Sequence, residues 1–110
     1  MWDRQFGDKN VAIVLPTNVI GIDIDAYKGH DGAETLEELE RDLGPLPPTY
    51  FSSARQDGVS GIYMFRVPDD VTWPGKAGPG IDIINWRNRY AICYPSWHNG
   101  VKDIYRWWQQ

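Results

Sequence analysis

A chain of 110 residues with 42% hydrophobic and 14% aromatic content has enough apolar material for one core and too little length for two ordinary domains. Its single cysteine, Cys93, excludes an internal disulfide and a multi-cysteine zinc site, and no run approaches the roughly 20 apolar residues of a membrane span. A formal charge of −4 weighs against a net basic nucleic-acid binder, because Lys and Arg contacts to phosphate supply most of such a domain's affinity. The start MWDRQFGDK lacks the basic-then-apolar order of a signal peptide. With Cys93 set between Ile92 and Tyr94 as a buried strand thiol, the expected setting is reducing and cytoplasmic, with no membrane partner.

In chain order, VAIVL (11–15) and VIGIDI (19–24) are β-branched runs joined by Pro16-Thr17-Asn18, which predicts an antiparallel hairpin. After the loop AYKGHDGA, the run ETLEELERDLG places Leu36, Leu39 and Leu43 at helical spacing, and Gly44 with Pro45 stops it, so a helix is predicted over about 33–43. Asp31 with Glu34, or Thr35 with Glu38, forms the expected capping box. The cluster Glu34, Glu37, Glu38, Glu40 and Asp42 reads as the solvated face of this helix. Beyond GPLPPT, strands are predicted from about Tyr50 to Ser53 and over GIYMFRV (61–67), separated by the polar loop ARQDGVS. The Gly and Pro-rich PDDVTWPGKAGPG is a loop leading to IDII (81–84). A turn near Arg87 and Asn88 returns the chain as YAICY (90–94), and YRWW (105–108) is the last strand. Strands outnumber helices, so the class is α+β: an antiparallel sheet of five to seven strands with one helix packed on it.

IGIDIDAY (20–27) carries two carboxylates in a run that otherwise favours burial. Strand alternation sets Ile20, Ile22 and Ile24 on one face and Gly21, Asp23 and Asp25 on the other. The two aspartate Cα atoms then lie roughly 6.6 Å apart, close enough to repel and close enough to hold cations between them. Magnesium binds oxygen at about 2.0–2.1 Å, and paired ions sit about 3.5–4 Å apart, so a third carboxylate from a neighbouring strand would complete a site. Asp82 in GIDII is the candidate. Alternating polar residues on a half-exposed strand are the ordinary alternative, against which stands the depletion of Asp in strands.

GIDIDAY, SSARQDGVSGIYMFRVP, GPGIDIINWRNRYAICYPSWHNG and YRWW, in this order, resemble the bifunctional DNA primase/polymerase (prim-pol) domains of phages, plasmids and bacteria, in the archaeo-eukaryotic primase superfamily. The first is similar to the family's metal-binding Asp-x-Asp strand and the third to its later acidic strand. The resemblance implies a primase palm, a sheet of the RNA-recognition-motif type. It implies DNA replication chemistry: template-directed nucleotidyl transfer with Asp23, Asp25 and Asp82 as catalytic residues holding Mg²⁺ or Mn²⁺, nucleoside triphosphates and template DNA as partners, and a replicative helicase supplied in trans.

Where the family carries Ser-x-His, this chain has Ser60-Gly61-Ile62, and no histidine lies between His30 and His98. The triphosphate is therefore assigned to the loop SSARQDGVSG, with Arg55 as its main contact and Ser53 and Ser60 beside it; His98, in Ser96-x-His98, is a further nucleotide-binding candidate. Trp97, Trp107 and Trp108 suit either base stacking or the core, Arg87 and Arg89 either template phosphates or solvent, and His30 an exposed loop. Residues 1–110 are read as one prim-pol-like domain, a truncated or minimal catalytic core. The alternative from another class is a catalytically inactive prim-pol-like nucleotide- or DNA-binding module, and beyond it a plain interaction domain.

Overall fold

Val19–Ile24 (β2) is the strand on which the rest of the sheet is laid, because it is paired along both edges. The computed structural model describes residues 10–27 and 29–109, so the opening run MWDRQFGDK and Lys28 of the AYKGHDGA loop lie outside the described residues. On one side β2 pairs with Gly61–Arg66 (β4), and on the other with Ile81–Ile84 (β6), both antiparallel. Tyr50–Ser53 (β3) extends the sheet beyond β4, and Arg106–Gln109 (β10) closes that edge; Lys76–Gly78 (β5) closes the other. The one helix among the described residues, Gly32–Leu43 (α1), packs against β2 and β6, so the architecture is α+β with a mainly antiparallel sheet. No helix among the described residues is long and apolar enough to cross a membrane.

The predicted hairpin between 11–15 and 19–24 does not form. Val11–Ile13 (β1) pairs instead with Ala91–Cys93 (β7) in a separate two-stranded ribbon. The Pro16 to Val19 turn is present, with the Val19 amide donating to the Pro16 carbonyl at 3.2 Å, but both edges of β2 are taken by β4 and β6 and none is left for β1. For the same reason β7 does not return beside β6, whose outer edge holds β5, a strand inside the stretch read as loop. A second small ribbon, Trp97–His98 (β8) with Asp103–Ile104 (β9), also lies in a stretch read as loop.

Side-chain alternation along the sheet builds two apolar layers. Ile24, Phe51, Tyr63 and Ile81 form the layer under α1, joined by Ile22, Leu36, Leu39 and Trp108. Leu15, Ile62, Ile84 and Ala91 form the layer on the opposite face, where the β1–β7 ribbon covers the sheet, and Cys93 is buried as expected. Leu43 departs from its expected core position and is 82% exposed; Leu46, whose amide donates to the Glu40 carboxylate at 2.7 Å, joins the core after the helix has stopped. The expected capping box is absent: Asp31 makes no side-chain cap, and the Thr35 hydroxyl donates to the Pro79 carbonyl at 2.6 Å.

In place of a capping box, the start of α1 is docked onto the end of β2. The Asp25 amide donates to the Gly80 carbonyl (2.9 Å), and the Asp25 carbonyl accepts from the Gly32 amide (2.8 Å). A Cβ on Gly32 would collide with the Asp25 backbone, and one on Gly80, whose φ is 77°, would collide with the backbone of Gly32. Gly80→Ala is therefore expected to cost about 3 kcal/mol, the sum of a left-handed alanine and a backbone clash. Urea denaturation measures it. A cost below about 0.5 kcal/mol, the range of surface substitutions away from such features, would show that this clamp is loose.

Candidate functional site: a cleft with an acidic wall

Antiparallel register sets one row of residues across the sheet: Ser52 opposite Ile62, Ile62 opposite Asp23, Asp23 opposite Asp82, and Asp82 opposite Lys76. Since Cα partners point their side chains to the same face, this whole row stands on the side away from α1. The β1–β7 and β8–β9 ribbons rise over that face and leave between them a cleft of about 500 Å³. Its walls include Asp23, Asp25, Ser53, Arg55, Ser60, Ile62, Arg89, His98 and Tyr105. Gly21, beside Asp23 on the same face, lets Ile62 pack close, since a Cβ there would come within 2.8 Å of Ile62 Cγ2.

Asp23 is more enclosed than its strand partner Asp82, its side chain 13% exposed against 31%. Burial, and after it the charge of Asp25, pushes its carboxyl up to about 6, with Arg89 pulling the other way. Arg89 forks between neighbouring strands: Nη2 donates to Asp23 Oδ2 and Nη1 to Asp82 Oδ2, each at 3.0 Å. Lys76 Nζ holds the other oxygen of Asp82 at 2.8 Å. Asp25 lies just past the end of β2, fixed through its backbone by Gly80 and Gly32, and lines the cleft. Asp82 is not on the lining and meets it through Arg89. Among the described residues no three acid, histidine or cysteine side chains close into a ready-made metal cage; the Arg89 guanidinium bridges two of the acids, Asp23 and Asp82.

The loop assigned to phosphate has a firm internal structure. Asp57 accepts from the amides of Val59 (2.8 Å) and Ser60 (2.7 Å) and from the Ser60 hydroxyl (2.7 Å). Partial desolvation notwithstanding, these bonds hold its carboxyl below the usual range. Ser60 Oγ also accepts from the Ala26 amide at 3.0 Å, tying the loop to the chain just after Asp25. Ser53 Oγ accepts from the Arg55 amide at 3.0 Å. Both hydroxyls are thus engaged in bracing the loop. The Arg55 guanidinium lies flat on Tyr27, 3.4 Å from the ring centre, a cation–π contact that aims it along the cleft wall.

His98 Nδ1 accepts from the Val101 amide at 3.1 Å, which leaves Nε2 as the ring's donor toward the cleft. Tyr105 stands nearby, its ring 5.8 Å from that of His98, and burial followed by the field of Asp23 holds its hydroxyl above the usual phenol range. Of the other candidates, Arg87 packs on Trp86 at 4.9 Å and is not on the cleft lining. Trp108 is core, stacked with Phe51 and donating to the Ser53 carbonyl at 3.1 Å, whereas Trp97 and Trp107 are exposed. His30 is exposed beside Tyr27.

Lys76, Tyr27 and Tyr105 are residues that sequence reasoning did not bring to the site, and Arg89, read as a contact to template phosphates or solvent, stands instead between two acids. Arg89 lies 66 positions from Asp23, and only the pairing of β2 with β6 brings them together. The arrangement is bipolar: carboxylates on one wall attract cations, and Arg55 offers an anion contact within the same space.

Compared with known families, residues 1–110, the whole chain, match the Prim-Pol family, described as bifunctional DNA primase/polymerase, N-terminal. No curated protein and no solved structure matched the chain.

Proposed function

The chain belongs to the bifunctional DNA primase/polymerase (Prim-Pol) family, whose substrates are nucleotides and DNA, and from that premise we propose template-directed nucleotidyl transfer in the cleft between the sheet and the ribbons. One observation carries the reading: Asp23 and Asp82 are direct partners on adjacent strands, Asp25 follows two residues on, and the cleft that Asp23 and Asp25 line also holds Arg55. The donor set suits Mg²⁺ or Mn²⁺, since hard dications prefer carboxylate oxygen and an arginine already occupies the position of a cation between two of the acids. Asp23, Asp25 and Asp82 are the residues that would hold such ions. Bound there, divalent ions would supply the lowering of an attacking 3′ hydroxyl's pKa and charge neutralisation at a leaving pyrophosphate.

The chain's own residues do the rest. Arg55 grips the triphosphate with its planar fork, pre-aimed by Tyr27, so little side-chain freedom is lost on binding. Ser53 and Ser60 shape the phosphate-facing loop through the bonds that brace it. His98, its Nδ1 taken by the Val101 amide, adds Nε2 as a further donor from the β8–β9 ribbon. Ile62 fills the sheet position next to Asp23, so that position itself offers the phosphates no donor.

Nucleotide affinity in the presence of Mn²⁺ tests the assignment. Arg55→Ala is expected to weaken binding about 10- to 100-fold, the worth of a charge-assisted pair of hydrogen bonds, and His98→Ala by less than about tenfold. If Arg55→Ala binds as the parent does while His98→Ala fails, the phosphates belong to the β8–β9 ribbon.

A further inference from the structure

We propose that Arg89 is a resident counter-ion of the acidic wall, that a divalent ion displaces it, and that the displaced guanidinium turns to the nucleotide's phosphates in the same cleft. The inference rests on the metal and nucleotide reading of that cleft. It begins from the sheet register: Asp23 and Asp82 face each other across neighbouring strands, a like-charge pair that a sheet does not tolerate without a cation. Arg89 supplies it with one nitrogen to each carboxylate. Because a guanidinium stays charged at every working pH, its departure moves a full positive charge out of the acid pair, and only another cation can take its place.

Three features make Arg89 the partner that leaves. Its side chain is 46% exposed while that of Asp23 is 13% exposed, so the cation is the solvent-facing member and the carboxylate the fixed one. Its backbone is anchored: Asn85 and Asn88 close the preceding turn with reciprocal amide-to-carbonyl bonds of 3.1 and 3.0 Å, and β7 begins two residues later, so the side chain can swing without moving the sheet. Lys76, on the outer oxygen of Asp82, remains as a partial counter-charge when Arg89 goes. Asp23, Asp25 and Asp82 carry three negative charges against the two positive charges of Arg89 and Lys76, an imbalance that favours a dication over the guanidinium. Arg89 already lines the cleft together with Arg55, so the freed fork has a phosphate-binding partner within the same space.

The experiment titrates Mn²⁺ into the full chain, followed by electron paramagnetic resonance, for the parent, Arg89→Gln, Arg89→Lys and Asp23→Asn. A non-hydrolysable deoxynucleoside triphosphate is then titrated at saturating Mn²⁺. Arg89→Gln is expected to bind Mn²⁺ about tenfold more tightly than the parent, because the competing charge is gone, and to bind the nucleotide about tenfold more weakly. Its metal-free melting temperature falls below the parent's and recovers when Mn²⁺ saturates. Arg89→Lys, which reaches one carboxylate at a time, falls between the two. Mn²⁺ affinity that is equal or weaker in Arg89→Gln overturns the proposal while leaving the metal site standing, since Arg89 would then be a bystander or a positioning residue. Tighter Mn²⁺ with unchanged nucleotide affinity overturns the handover. Absence of Mn²⁺ binding in the parent and Arg89→Gln alike, or binding undiminished in Asp23→Asn, overturns the underlying reading of the acids along with it.

Discussion

Asp23→Asn is expected to lower nucleotidyl transfer by on the order of 10³-fold or more, the several kcal/mol that metal-ion catalysis supplies, and at the same time to stabilise the metal-free chain at pH 8. The second effect follows from the carboxyl held up to about 6 by burial and by Asp25, against an ordinary value of 3.8. The folded chain retains a proton on Asp23 that the unfolded chain releases, so the carboxyl imposes no penalty near and below pH 4. As pH rises through about 6 the folded state must ionise it, at a cost approaching about 3 kcal/mol. Asn removes that cost, in which the opposing pull of Arg89 is already counted, so the net gain at pH 8 is expected to approach about 3 kcal/mol, vanishing near pH 4. The charged groups that set this balance are Asp25, Arg89 and Asp82. Urea melts of both proteins at the two pH values measure the difference. A variant less stable than the parent at pH 8 would mean that the Arg89 pair outweighs burial and repulsion.

Tyr63→Ala is expected to cost about 3–5 kcal/mol, enough to unfold a large fraction of a domain this small. Tyr63 is 2% exposed, its ring stacks on Phe51 at a centroid distance of 4.4 Å, and its hydroxyl donates to the Val59 carbonyl at 2.7 Å. Burial, then the charge of Asp57, pushes that hydroxyl up to about 12, so it remains a donor across the working range. Tyr63→Phe separates the two contributions: it keeps the stack and removes the bond, at about 1–2 kcal/mol. The bond also ties the helix-side core to the loop in which Asp57 braces Ser60, so Tyr63→Phe is expected to weaken nucleotide binding slightly as well. Denaturation midpoints for the two variants check the first expectation. A loss in Tyr63→Ala no larger than in Tyr63→Phe would show that the stack contributes little.

The alternation in VIGIDI placed Asp23 and Ile24 on opposite faces, and the leucine spacing placed the helix, because both signals are local and repeat within a few residues. The partner of β1 was not legible in the same way. Pairing depends on which edges of β2 remain open, and that is decided by β4 and β6, which come 37 or more residues after β2 ends. The β5 strand hides in a Gly and Pro-rich stretch because it is three residues long with a register shift between Lys76 and Gly78. The β8 and β9 strands are two residues each and carry no periodicity to read. Ser60 drew notice as a hydroxyl beside glycine, yet its oxygen is shared between the Ala26 amide and Asp57, a use that only the folded loop reveals. Arg89 was noticed as a basic residue near a turn; its place between two acids depends on tertiary packing alone.

The most direct measurement is extension of a labelled primer on template DNA by the full chain with deoxynucleoside triphosphates and Mn²⁺, run beside Asp23→Asn and Asp25→Asn. Template-complementary extension by the parent, lost in both variants while they still fold, is the expected result. Absence of extension by a parent chain that binds both Mn²⁺ and nucleotide, or extension undiminished in the two variants, would contradict the assignment of nucleotidyl transfer to this cleft.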